Sequence, residues 1–492
     1  MNALLVYPEI PLTFWSFKDA LKFISKKAAE PPLGLITVAG MMPDEWNKKL
    51  IDMNVESLDD EQILWADYVF LSGMSIQMKS FNDVVKKCNR LGVKVVAGGP
   101  LCSTQYNEIL GVDHFVLDEA EITFPQFLND LQNGKPKYVY QTDEFPDIEL
   151  AHVPRWDLLD KKKYAVMSIQ YSRGCPYDCE FCSITVLNGR KPRTKSKEQF
   201  FNELNVLYNQ GWRGMVSIVD DNFIGNKIKL KKEILPALID WSVKRKYPFR
   251  FSSEVSINLS DDAVLVDQMV KAGFTTVFVG IETPNDASLI ECAKSHNLKR
   301  NLISSVNKLQ SRGLIVSAGF IVGFDNDPED IFDRQINFIQ KSGIVTAMVG
   351  LLNAPIGTKL FKRLKSENRL LQNFSGNNMD SSINFIPKMN YKELMKGYSK
   401  ILSTIYSQKE FYNRMKKFLN DYSQPAWEKI TPSVTQIKAF IKLILKLGFL
   451  EKDKRYFWKL FALSIFKYPK KFMVSMTLAV YGFHFRKVVA LI

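Results

Sequence analysis

Three cysteines, Cys175, Cys179 and Cys182, occupy the run Gly174-Cys-Pro-Tyr-Asp-Cys-Glu-Phe-Cys182. The spacing C-x3-C-x2-C gathers three thiolates on one short loop. Iron–sulfur clusters are normally held by four cysteines. Three at close range therefore point to a [4Fe–4S] cluster with one iron free for a substrate or cosubstrate. Structural zinc wants four ligands, usually as two separated pairs, and no second C-x2-C or H-x3-H pair follows. Three ordinary buried thiols is the plain alternative, and the tight spacing disfavours it. Cys88, Cys102 and Cys292 fall outside any such spacing and read as core thiols.

A loop of this kind needs a scaffold. The apolar run Val166–Tyr171 reads as a strand leading straight into it, and five more strand candidates follow: Met215–Val219, Arg250–Val255, Thr275–Ile281, Ile315–Ile321 and Thr346–Leu352. Helical patterns intervene, with Ser196 and Ser260 as expected N-caps. Six β/α units predict a curved, incomplete barrel, whose chemistry gathers at the C-terminal strand ends. Those ends are polar. Met215–Val219 finishes in Asp220-Asp221-Asn222-Phe223, where paired carboxylates serve as turn residues or as site residues. The next strand carries Ser253-Glu254, and an inward glutamate is costly unless paired. The following two end in Gly280-Ile281-Glu282-Thr283-Pro284-Asn285 and in Gly319-Phe320-Ile321-Val322-Gly323-Phe324-Asp325.

Upstream, Ala3–Tyr7, Lys49–Met53, Tyr68–Ser72, Lys94–Ala97 and His114–Leu117 read as strands, with helices such as Phe81–Leu91 and Phe124–Gln132 between them. That alternation predicts a doubly wound parallel α/β sheet over residues 1–145. A Pro- and acid-containing linker is expected over 146–160, the barrel over 161–375 and a mostly helical domain over 376–492. The chain of 492 residues, 46% hydrophobic, suits two or three globular domains. The N-terminus reads as a buried strand without a basic signal-peptide region. Six cysteines make no disulfide framework, so the expected compartment is the reducing cytoplasm.

The net charge of +14 is uneven. From Thr431 to Ile492 twelve Lys/Arg face two acids, Glu451 and Asp453, a net +10 among many Phe, Tyr and Trp. Basic and aromatic residues on helical stretches suit the surface of an anionic membrane, giving an expected peripheral location on its inner face. A solvated helical face is the alternative. Nucleic acid ranks below both because no binding motif accompanies the charge. The longest uncharged run, Phe472–Phe485, has 14 residues, short of the ~18 that span a bilayer.

The cysteine motif, with Phe181 before its last cysteine, resembles that of the radical S-adenosylmethionine (SAM) superfamily. There the open iron binds SAM, and one electron cleaves the sulfonium to a 5′-deoxyadenosyl radical. The resemblance covers about residues 160–360. It implies that Cys175, Cys179 and Cys182 ligate the cluster, and that Phe181, Asp220, Asp221, Glu254, Gly280, Glu282 and Gly323 contact SAM. An electron donor such as flavodoxin or ferredoxin follows from it.

Pro31-Pro32-Leu33-Gly34-Leu35 and Val95-Val96-Ala97-Gly98-Gly99-Pro100, with Glu119-Ala120-Glu121, resemble the cobalamin-binding domains fused to many such enzymes. The implied contacts are Pro32, Ser72, Gly98, Gly99 and Glu119. Alternatively these are turn residues of a fold that has lost the cofactor. The D-x-H-x-x-G motif that supplies a lower axial histidine is absent, and His114 has no matching aspartate and glycine. The whole length, including Thr13-Phe14-Trp15-Ser16-Phe17, resembles a cobalamin-type subgroup that includes the hopanoid C-2 methylases. The expected activity is C-methylation of an unactivated carbon in a lipid-like or small-molecule substrate. The alternatives are non-methylating radical coupling or rearrangement, and a non-catalytic iron–sulfur or cobalamin sensor.

Overall fold

The computed structural model describes residues 1–371, 374–377, 382–428 and 434–492. Thr431, where the basic stretch begins, lies outside the described residues. The first sheet comprises β1 (Asn2–Tyr7), β2 (Asn47–Asp52), β3 (Tyr68–Ser72), β4 (Lys94–Gly98), β5 (His114–Val116) and β6 (Val139–Tyr140), in the order β2-β1-β3-β4-β5-β6. Every pairing is parallel. Continuous apolar runs in β1, β3 and β4 follow from burial on both faces. Leu4, Val6, Val69 and Leu71 pack on the helix Met78–Arg90, while Ala3, Leu5 and Phe70 pack on helices Leu33–Met41 and Ala120–Gln132. Cys88 and Cys102 are fully buried in the first of these layers. The two-residue β6 is too short to show a pattern in the sequence.

The second sheet begins with β7 (Val166–Ile169). A short antiparallel pair follows, β8 (Ser172–Arg173) with β9 (Arg193–Thr194), bracketing the cysteine loop. Then come β10 (Gly214–Ile218), β11 (Phe249–Glu254), β12 (Phe274–Glu282), β13 (Ile315–Val322) and β14 (Ala347–Leu351). They pair in parallel in chain order, β7-β10-β11-β12-β13-β14, which is the expected open six-stranded barrel. Tyr171 lies outside the strand expected to contain it, because β7 ends at Ile169 and the chain turns into β8. Ser196 caps its helix, accepting from Gln199 N–H at 3.1 Å. Ser260 does not: it sits in a 3-10 turn, and Asp262 caps Ala263–Ala272 through Leu265 N–H at 3.1 Å.

Helices Tyr391–Ile405 and Gln408–Asp421 pack on the barrel helix Ile331–Ser342. Beyond them come Val434–Leu443, continued in π winding to Leu450, then Lys454–Phe466 and Phe472–Val489. No described helix is long and apolar enough to cross a membrane. The segment Thr13–Phe17 straps all three regions together. His484 Nε2 hydrogen-bonds the carbonyls of Thr13 and Phe14, each at 3.2 Å, and Phe14 packs on Phe485 at 5.4 Å. Trp15 meets Phe278 of β12 at 4.8 Å.

Candidate active site

Alternate residues of the barrel strands face helices and are buried; their neighbours face the lumen. The lumen positions in register are small and polar: Ser168, Ser217, Ser252 and Thr276 form one layer across four strands. Above it Glu254 lies beside Phe278 and Ser317, and above those Gly280 lies beside Gly319. Closed barrels usually fill this space with branched side chains. Here hydroxyls and glycines leave it open. Glu254 makes no ion pair among the described residues; it is open to lumen solvent yet surrounded by protein. Desolvation, then the charges of Asp221 and Glu30, push its carboxyl up to about 7. Glu30 enters from the N-terminal domain, its Oε2 accepting from Ser168 Oγ at 2.8 Å. Desolvation raises it as well, opposed by hydrogen bonds from Ser168 and Ser217.

The cysteine loop leaves β8 over this lumen. Asp220, 1% exposed, accepts from Tyr171 N–H at 2.7 Å and Ser172 Oγ at 2.5 Å. Asp221 accepts from Gly174 N–H at 2.7 Å and Asn188 Nδ2 at 2.9 Å. Both carboxylates are thus engaged in holding the start of the loop. Desolvation lifts Asp220 to about 7 despite those bonds. The far side of the loop is tied to the region after β14 by Arg363, whose guanidinium reaches Glu180 at 2.7 and 3.1 Å. Cys179 is buried, and Cys175 and Cys182 are partly so. Burial pushes the Cys175 and Cys179 thiols up and that of Cys182 to about 12.

Lys294 is the cation that faces these thiols. It lowers the pKa of all three, lies 5.9 Å from the centre of the Phe181 ring and pairs with Glu282 at 2.5 Å. Glu282 terminates β12 at φ 63°, a left-handed conformation uncommon for glutamate. A Cβ at Gly280 would lie 2.3 Å from Glu282 Oε1 and 2.6 Å from Lys294 Nζ, so glycine there makes room for the pair. Gly323, at φ 106°, turns the chain out of β13, where Phe324 meets Phe181 edge-on at 6.3 Å. Phe181, Glu254, Gly280, Glu282 and Gly323 thereby come together around one rim.

The C-terminal edge of the first sheet faces this rim. Arg173, two residues before Cys175, binds Glu119 at 2.6 Å and Glu121 at 2.8 Å; Arg193 binds Glu119 at 2.6 Å. The Glu119 carboxylate therefore joins the two domains. The other residues expected to contact cobalamin share the same edge. Pro32 precedes the helix Leu33–Met41. Gly99, at φ 82°, packs so closely on Ser72 that a Cβ would lie 2.3 Å from its Oγ. A Cβ at Gly98 would lie 2.6 Å from the Val116 carbonyl, so that glycine serves strand packing. Gly34 differs: a Cβ there meets nothing within 4 Å, so the space beside it is open. His114 starts β5 at the opposite edge, its Nδ1 2.7 Å from the Lys137 carbonyl.

Sequence reasoning missed Glu30, Lys294, Arg173 and Arg193. Arg173 was findable, being so near the first cysteine; Glu30 and Lys294 are joined to the site only by the fold.

Residues 24–128 match the family model "B12 binding domain", residues 169–339 "Radical SAM superfamily" and residues 358–492 "Domain of unknown function (DUF4070)". An uncharacterized methyltransferase of Synechocystis sp. is 39% identical over 492 residues, covering 99% of this chain and 91% of the relative. The hopanoid C-2 methylase of Rhodopseudomonas palustris is 34% identical, covering 78% and 73%. The chain belongs to the radical SAM superfamily, in the class with an N-terminal B12-binding domain. Solved structures share the fold of this radical SAM enzyme. The cobalamin-dependent radical enzyme OxsB with aqua-cobalamin bound aligns at TM-score 0.63 and 14% identity, covering 99% of this chain and 80% of that one. The methyltransferase TsrM of Kitasatospora setae, with cobalamin and a [4Fe-4S] cluster bound, aligns at 0.61 and 12%, covering 97% and 99%.

The residues present fit the groups that this class implies. Three soft thiols on one loop suit an iron–sulfur cluster. Among the described residues no three His, Cys, Asp or Glu side chains, the loop cysteines included, are drawn together as a metal-holding group.

Proposed function

We propose that this radical SAM enzyme is a cobalamin-dependent C-methyltransferase acting on an unactivated carbon of a lipid-like substrate. The observation that carries the reading is the apposition of the cysteine loop and the B12-type strand edge, locked by Glu119 and Glu121 on Arg173 and Arg193 above an open lumen. When bound, the cluster, SAM and cobalamin would supply radical formation and a carrier for the methyl group. Cys175, Cys179 and Cys182 would hold the cluster, with an external donor such as flavodoxin or ferredoxin providing the electron. Phe181, Glu254, Gly280, Glu282 and Gly323 would form the SAM rim, where the Lys294 charge favours a carboxylate. Asp220 and Asp221 position the loop. Pro32, Ser72, Gly98 and Gly99 would border the cobalamin, with Gly34 giving the open approach. Trp15 and Phe278 offer an apolar wall for the substrate, and Glu30 with Glu254 a polar end.

The relatives named as methyltransferases support this reading. Anaerobic reconstitution followed by iron, sulfide and cobalt analysis tests it. About four irons and one cobalt per chain are expected, with 5′-deoxyadenosine formed from SAM and lost in Cys179→Ala. Iron without cobalt, even with cobalamin supplied, would move the function to non-methylating radical chemistry. A cluster that never cleaves SAM would leave the sensor.

A further inference from the structure

The C-terminal domain has an outer face that the barrel does not use. On the helix that starts at Val434 and continues to Leu450, Ile437, Ile441, Leu445 and Phe449 recur at every fourth position and are 50%, 53%, 55% and 58% exposed. The opposite side of the same helix supplies the buried residues Leu443 and Leu447. Single exposed aliphatic residues are ordinary. A continuous row along four turns is not what a solvated helix presents. The row widens onto the next helix. The Trp458 indole N–H donates to the Gly448 carbonyl at 2.9 Å, and its ring packs edge-on against Phe449 at 5.8 Å. Phe466, at the end of that helix, is 86% exposed.

Charge runs beside the row in the same rhythm. Lys438, Lys442 and Lys446 each follow an apolar member by one position and are exposed, although Lys442 Nζ also donates to Ser25 Oγ at 3.0 Å and Lys446 lies 6.0 Å from the Phe483 ring centre. The whole stretch from Thr431 onward carries +10.

We propose that this face docks on the surface of an anionic lipid bilayer, with Ile437, Ile441, Leu445, Phe449 and Trp458 entering the headgroup boundary and the flanking lysines contacting lipid phosphates. The proposal is independent of the reaction catalysed. An apolar row edged by lysines is the pattern of an interfacial helix, and no described helix can span the bilayer. A second copy of the chain would bring two strongly basic faces together. Nucleic acid would satisfy the lysines but leave the exposed row against phosphates and water.

Point substitutions in the full chain test this better than removal of the domain, because His484 and Phe485 of the last helix seat the Thr13–Phe17 strap. Flotation of the full chain is measured with phosphatidylcholine vesicles and with vesicles containing about one third phosphatidylglycerol. Two variants, Ile441→Asn/Leu445→Asn and Lys438→Glu/Lys446→Glu, accompany the wild type, and unchanged thermal melting shows that each is folded. The expected result is partition into the anionic vesicles only, lowered about tenfold or more in each variant and by added salt for the wild type. Absence of flotation at low salt would overturn the proposal. So would wild-type flotation in both variants, or a variant-sensitive dimer or RNA complex in place of vesicle binding.

Discussion

Replacing Glu119 by glutamine tests whether the buried ion pairs hold the B12-type domain to the cluster loop. The network is neutral: Glu119 and Glu121, 7% and 3% exposed, face Arg173 and Arg193, 15% and 12% exposed. Glu119→Gln keeps the shape but leaves a net positive charge there. Removing one partner of a buried pair costs about 3–5 kcal/mol. Arg173 keeps Glu121, and Arg193 keeps the carbonyls of Pro146 and Asn188, so the lower end, ~3 kcal/mol, applies. The loss should appear in the first urea transition of the anaerobically purified protein. The double variant Glu119→Gln/Arg193→Met should lose less than the sum of its parts, with a coupling of about 1 kcal/mol or more. Iron retention during dialysis should fall too, because Arg173 leads into Cys175. Acid should act in the same direction. Burial opposes ionisation of Glu121, but the Arg173 hydrogen bond and charge outweigh it and hold its carboxyl below the usual range. Its stabilisation is therefore complete above the unfolded value of ~4.3 and is lost as pH falls through the lower folded value. A loss in Glu119→Gln below ~0.5 kcal/mol, the size of an exposed pair, with iron retained, would refute the reasoning.

Asp220→Ala should leave the Tyr171 N–H and Ser172 hydroxyl without their acceptor, a loss of ~2–6 kcal/mol in all, read as reduced iron per reconstituted chain, while Asp220→Asn keeps most of it. Desolvation raises Asp220 to about 7, so its folded form binds a proton more tightly than the unfolded chain; stability from this group should decline from pH ~4 to ~7. A wild-type minus Asp220→Asn difference that stays flat over that window would count against it. Lys294→Met should cost ~3 kcal/mol by leaving Glu282 buried alone, and the double variant with Glu282→Gln should recover part of it in chemical denaturation. Gly34→Ala should stabilise the fold by up to ~1 kcal/mol of helix propensity, read as a higher melting temperature, yet weaken cobalamin binding about tenfold or more in a spectral titration. Unchanged cobalamin affinity would place the ring elsewhere.

The strands were legible as short apolar runs: β3 is one, and β13 reads Ile-Val-Ser-Ala-Gly-Phe-Ile-Val, its strict alternation appearing only in the burial. Local turns were less so. Ser260 and Asp262 both carry capping side chains, and only the backbone decides which one meets a free N–H. The cysteine loop was readable from spacing alone. Its support was not, because it depends on pairs far apart in the chain, Asp220 with Tyr171 and Glu30 with Ser168, and on Lys294 returning to Glu282 across the turn after β12. Residue type and position placed Asp220 and Asp221 at the rim, but the direction of a carboxylate there is set by which backbone N–H groups the neighbouring loop leaves unbonded. Glu119 shows the same limit, since its two arginine partners belong to another domain.

The Thr13–Phe17 strap bears on how the molecule is made. Thr13 and its partner His484 are separated by 471 positions. At ~5–20 residues per second, the strap would wait roughly 25–95 s for its seat to emerge from the ribosome. The B12-type sheet and the barrel can each fold in that interval from contacts within themselves. Thr13 and Phe14, next to the Trp15 that meets Phe278, gain their His484 partner only when the helix Phe472–Val489 docks. Seating of the strap therefore requires that synthesis has passed the helix Phe472–Val489, long after the barrel strands have emerged.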